Sequence, residues 1–86
     1  MSKTIRILIV DDHPAFRVGL GAILGAQDDL RVVAEGGSVA EALALCERER
    51  PDVVLMDLRL PGGGGAQATL AIRKRWSAMH VLIITT

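Results

Sequence analysis

A second cysteine is missing from this 86-residue chain, so Cys46 can close no internal disulfide. An excess of either charge is missing too: ten basic and ten acidic side chains cancel to a formal net charge of zero. Without a positive field, direct nucleic-acid binding by this chain is not expected. No apolar run approaches the roughly 20 residues that span a bilayer. The four apolar residues Ile7 to Val10 are also too short for the core of a signal peptide. These absences predict a soluble, cytoplasmic protein with no membrane association. The length leaves room for one small domain and no second module. His13, His80 and Cys46 do not fall at the spacing of a zinc site. No internal repeat occurs, and the only low-complexity tract is the glycine run from Gly62 to Gly65.

What the chain does have is apolar residues, half of its total. They gather in four short β-branched runs, Ile5 to Val10, Leu30 to Ala34, Val53 to Met56 and Val81 to Ile84. Nearly unbroken runs of this kind mark strands covered on both faces of a parallel sheet. Between them the spacing turns helical. Pro14 suits a first helical position, Phe16, Leu20, Ile23 and Leu24 share a face, and Gly25 suits a left-handed stop. A second helix opens with the capping pair Ser38 and Glu41, carries Val39, Leu43 and Cys46, and ends before Pro51. A third is expected over about residues 66–76, with Ala68, Ile72 and Trp76 four apart. The series β1-α1-β2-α2-β3-α3-β4 with right-handed crossovers predicts an α/β fold, a parallel sheet with helices on its faces.

Ligands of open α/β sheets bind outside the carboxyl ends of the strands, where the strand order reverses. The first strand ends in Asp11 and Asp12, the third in Asp57, and the fourth in Thr85 and Thr86. Any one of these acids could be a turn former, and Asp12 lies where a helix start favours a carboxylate. Asp57, between Met56 and Leu58-Arg59-Leu60-Pro61, has no helix start to cap. Three converging carboxylates repel one another unless a cation neutralises them. An all-oxygen donor set points to a hard ion that retains water, Mg²⁺ rather than Zn²⁺.

The segments Ile-Leu-Ile-Val-Asp11-Asp12-His13-Pro14, Pro51-Asp52-Val-Val-Leu-Met-Asp57-Leu-Arg-Leu-Pro61-Gly62 and Val-Leu-Ile-Ile-Thr85-Thr86 resemble the receiver domain of two-component response regulators. Asp-Asp-His-Pro followed by Phe16-Arg17-Val18-Gly19-Leu20 resembles the NarL/LuxR-type subfamily of transcriptional regulators. The resemblance implies a flavodoxin-like (CheY-like) doubly wound sheet of strand order 2-1-3-4. It implies a regulatory domain rather than an enzyme, phosphorylated by a sensor histidine kinase. It makes Asp57 the phosphoacceptor and Thr85 the phosphoryl contact and switch. Asp11, Asp12, Asp57 and the backbone carbonyl of Arg59 would hold Mg²⁺, Asp11 through a bound water. His13 is expected to be a loop residue beside the acids, and Pro61 fits the family or an ordinary loop equally well.

Residues 1–86 then form a receiver domain without the family's usual fourth helix, fifth strand with its Lys, and fifth helix, and with no output domain. A charge-assisted phosphoryl contact is worth about 1.5 to 3 kcal/mol, so phosphorylation that is slow or undetectable is expected. Gly62 to Gly65 lacks the Gly-Lys-Ser/Thr close of a P-loop and is expected to be a loose lead into the third helix. Two other functions compete. A metal-dependent phosphohydrolase would want a second Asp two residues after the nucleophile, where Arg59 stands. A phosphorylation-independent interaction module would self-associate through the uncovered sheet edge at Val81 to Ile84.

Overall fold

The computed structural model describes residues 3–61 and 64–84. Four strands and three helices alternate along it: β1 (Ile5–Val10), α1 (Pro14–Gly25), β2 (Leu30–Gly36), α2 (Val39–Glu49), β3 (Val53–Asp57), α3 (Gly64–Arg75) and β4 (His80–Ile84). The strands are all parallel, in the order β2-β1-β3-β4. This is the doubly wound, flavodoxin-like arrangement expected from the βαβ series. The order reverses between β1 and β3, so the carboxyl ends of those two strands flank the switch point.

Alternation along the strands divides the core in two. Leu8 pairs with Val54 and Val10 with Met56, and all four are buried on one face. Ala42 and Cys46 of α2, Ala68 and Ile72 of α3, and the loop residues Leu60 and Met79 close over them. Small residues at Ala42, Cys46 and Ala68 let the helices sit close to the sheet, where each buried methylene contributes about 0.8 kcal/mol. Ile7 and Ile9 are buried on the other face, where α1 packs on β1 and β2. That face is thinner. No residue of α1 is fully buried, and Phe16 and Ile23, expected on its inward stripe, are 37% and 66% exposed. Only Leu20 and Leu24 of the four are half-buried, because α1 lies over the β2 side of the sheet. β4 is the outer strand among the described residues, with Leu82 57% and Ile83 45% exposed.

Helix ends follow the sequence in three cases and depart from it in two. Pro14 opens α1. At α2 the Ser38 hydroxyl accepts from the Glu41 N–H at 3.1 Å, and the Glu41 carboxylate accepts from the Gly37 N–H at 3.0 Å. This is a capping box shifted outward by one residue on its return bond. Arg50 then takes a left-handed conformation, φ 46°, and Pro51 follows. Gly25, in contrast, is not a left-handed stop: α1 runs through it to Ala26, whose φ of −75° is right-handed. The third helix begins two residues before the expected start, at Gly64, and ends at Arg75.

At the amino ends of the strands, Asp52 stitches β1, β3 and β4 together. Its carboxylate accepts from the Arg6 N–H at 2.9 Å, its own N–H donates to the Arg6 carbonyl at 2.9 Å, and its carbonyl accepts from the His80 N–H at 3.0 Å. Nearby, the guanidinium groups of Arg75 and Arg50 lie 4.5 and 5.7 Å from the centre of the Trp76 ring. Both arginines also reach Glu47, at 3.7 and 3.1 Å.

Candidate metal centre at the carboxyl end of the sheet

β1 delivers Asp11 and Asp12 to the switch point. The Asp11 N–H donates to the Gly36 carbonyl at 3.0 Å, which carries the β1–β2 ladder one residue beyond the strand. This places the Asp11 side chain inside the molecule, fully buried. Its Oδ1 accepts from the His13 N–H at 2.8 Å and stands 2.8 Å from His13 Nδ1. The same Nδ1 is 3.1 Å from Asp12 Oδ1. The hydrogen bond to Asp11, and next the charge of Asp12, push the His13 pKa above its ordinary 6.5.

β3 delivers Asp57 as its last residue, also fully buried. Its Oδ1 accepts from the Arg59 N–H at 3.0 Å. The backbone around it is fixed from two sides: the Leu58 N–H donates to Ile84 of β4 at 3.3 Å, and the Leu58 carbonyl accepts from Gly65 at 2.9 Å.

Each buried carboxylate keeps one oxygen without a hydrogen-bond partner, Oδ2 of Asp11 and Oδ2 of Asp57. A buried polar group left in this state costs about 1 to 3 kcal/mol, and more for a charge. Asp11, Asp12, His13 and Asp57 each present a donor atom, and these atoms all lie within 4.8 Å of one another. A divalent cation would satisfy the orphaned oxygens and offset the repulsion, so the residues present fit a divalent metal ion. Asp12, His13, Phe16 and Arg59 line an open cavity of about 470 Å³ over the cluster.

The predicted acids Asp11, Asp12 and Asp57 are thus brought together, and Arg59 stands beside them. Thr85 lies outside the described residues. Three contributors escaped the sequence reading. His13 belongs to the cluster itself, and its place directly after two aspartates was the available signal. Arg17, one turn into α1, donates from Nη1 to the Asp11 carbonyl, while its Nε sits 3.4 Å from Glu35 on β2. It clamps the loop that carries Asp11 and Asp12. Gly65 is the third, and it corrects the expectation of a loose lead at that position. Gly65 is buried in the first turn of α3, where an added Cβ would come 2.1 Å from the Asp57 carbonyl oxygen. Gly64 before it has φ +83°, a left-handed value that suits glycine. Nothing but their lack of side chains marked either glycine in the sequence.

A family model described as the response regulator receiver domain matches residues 7–86. Among curated proteins, the response regulator protein VraR of Staphylococcus aureus is 41% identical over 83 residues, covering 96% of this chain and 40% of VraR. Among solved structures, a LuxR-family two-component response regulator from an Aurantimonas species superposes with a TM-score of 0.91 at 43% identity, over 96% of this chain and 59% of that one. The signal receiver domain of the response regulator NarL from Mycobacterium tuberculosis gives 0.90 at 38% identity, over 96% and 67%. The chain spans about 40% of the length of the curated relatives it matches. No helix among the described residues is long and apolar enough to cross a membrane.

Proposed function

Because this chain belongs to the response-regulator receiver family, in its LuxR-type branch, we propose that it accepts a phosphoryl group on Asp57 from a sensor histidine kinase. One carboxylate oxygen of Asp57 forms the new O–P bond as the P–N bond to the kinase histidine breaks, and the imidazole leaves with the electron pair. Asp11, Asp12, Asp57 and the Arg59 carbonyl would hold Mg²⁺, which when bound supplies charge neutralisation for the incoming phosphoryl oxygens. The protein's own part is positioning. The Arg59 N–H holds Asp57 Oδ1 and so orients the carboxylate at the switch point. Arg17 and the Gly36 carbonyl fix the loop of Asp11 and Asp12. Thr85 is proposed to contact the phosphoryl group and act as the switch, controlling transcription through an output domain of the whole protein.

The observation that carries this reading is the pair of fully buried carboxylates at the switch point, each with an unsatisfied oxygen. Incubation of the whole protein with acetyl phosphate and Mg²⁺ is expected to add the mass of one phosphoryl group, in a hydroxylamine-labile bond absent from Asp57→Asn. Mg²⁺-dependent binding of beryllofluoride tests the same site. Failure of both in the whole, unsubstituted protein overturns the proposal. A second reading, self-association through β4, is favoured by the exposure of Leu82 and Ile83. A monodisperse monomer by sedimentation counts against it.

A further inference from the structure

The Mg²⁺ expectation rests on oxygen donors alone, yet the structure adds a nitrogen. We propose that His13 is a direct ligand in the acidic centre, and that the centre therefore takes borderline transition-metal ions such as Ni²⁺ in preference to Mg²⁺. This inference rests on the reading of the Asp11, Asp12 and Asp57 cluster as a cation site.

The geometry carries it. His13 Nδ1 stands 2.8 Å from Asp11 Oδ1 and 3.1 Å from Asp12 Oδ1. In an octahedral shell with bonds of about 2.0 to 2.1 Å, neighbouring donors lie about 3 Å apart and opposite ones about 4.2 Å. The spacing of Nδ1 from each of the two oxygens is that of neighbouring donors in such a shell. All four donors, that of Asp57 included, fall within 4.8 Å of one another, close enough for small side-chain movements to gather them around one ion. The orphaned Oδ2 atoms of the fully buried Asp11 and Asp57 independently call for a cation there. The side-chain contacts of His13 are with the acids alone, and a cation between them would take the place of its hydrogen bond to Asp11. His13 is the N-cap residue of α1 but its side chain makes no cap hydrogen bond, so it is not spent on the helix. Imidazole nitrogen favours the later first-row ions, whose affinities rise from Mn²⁺ to Ni²⁺, while Mg²⁺ prefers carboxylate and water.

Calorimetric titration of the chain with Mg²⁺, Mn²⁺ and Ni²⁺ separately, and pulsed electron paramagnetic resonance of the Mn²⁺ form, test this. Even an indirect partner of a metal ligand is worth 10 to 100-fold in affinity, so His13→Ala is expected to lower the Ni²⁺ affinity by about tenfold or more and leave that for Mg²⁺ nearly unchanged. His80→Ala, which removes the chain's other histidine at the opposite end of the sheet, is expected to change neither. Bound Mn²⁺ is expected to show a nitrogen hyperfine coupling in the unsubstituted chain, a reading that needs no variant. If Mg²⁺ binds and Asp57→Asn abolishes binding, but Ni²⁺ gains nothing from His13 and no nitrogen coupling is seen, the His13 proposal falls and the cation site stands. If no divalent ion binds at all, both fall.

Discussion

Two aspartates bracket β3, and the fold treats them in opposite ways. At the amino end, Asp52 is half-buried and engaged through its carboxylate, its N–H and its carbonyl, all to neighbouring strands. At the carboxyl end, Asp57 is fully buried, yet one of its oxygens has no partner, and Asp11 beside it is in the same condition. Placed five residues apart by the same chain, one acid is engaged across the sheet and the other keeps an oxygen without a partner. The distinguishing property is satisfaction rather than burial. Asp52 has its hydrogen bonds supplied by the protein, whereas Asp57 is positioned by the protein and left short of one partner.

The sharpest way to break the comparison is to neutralise Asp57. Asp57→Asn is expected to abolish acyl-phosphate formation, read by mass spectrometry. In metal-free buffer the same change should raise stability by about 1 kcal/mol, because an unsatisfied buried charge next to Asp11 is removed. A loss of stability measured by denaturant titration would put Asp57 in the same class as Asp52.

Gly65→Ala tests whether the carboxyl end depends on backbone contact as strictly as on charge. With the new Cβ 2.1 Å from the Asp57 carbonyl oxygen, α3 must move, at a cost of about 3 kcal/mol by analogy with overpacked cores. Thermal unfolding measures it, and a change below about 1 kcal/mol means that α3 shifts freely. Asp52→Ala comes next. Losing a charged acceptor for the Arg6 N–H should cost about 1.5 to 3 kcal/mol of stability, with cation affinity unchanged once folded.

Arg17→Ala should give the smallest effect, a loss of a few-fold to tenfold in divalent-ion affinity at the carboxyl end. Removing its hydrogen bond to the Asp11 carbonyl loosens the loop by about 1 kcal/mol. Equal affinity in the variant would show that the ladder bond from Asp11 to Gly36 holds the loop by itself.

The architecture was readable because β-branched runs and helical spacings alternate without ambiguity, and four strands with right-handed crossovers allow few arrangements. The acids at the strand ends were readable for the same reason: once Val10 and Met56 are strand residues, Asp11 and Asp57 must emerge at one edge. What escaped depends on distances between segments. Arg17 reads as a polar interruption in an apolar helix until α1 is folded back over the β1 loop. Gly65 reads as one of four equivalent glycines until α3 is laid against β3. The inward stripe of α1 was misjudged at Phe16 and Ile23, since helical periodicity shows that residues share a face but not how much sheet lies beneath it.

The stacking of Arg75 and Arg50 on Trp76 has a practical corollary. Trp76 is the only tryptophan, no tyrosine competes with its emission, and the ring sits beside Arg50 and Met79, at the opposite end of the sheet from the acidic centre. Its fluorescence is therefore a built-in optical gauge of whether the domain is assembled, blind to cation loading and phosphoryl chemistry. Every substitution named above can be scored for folding by that emission and for binding by calorimetry, in the same sample, without an added label.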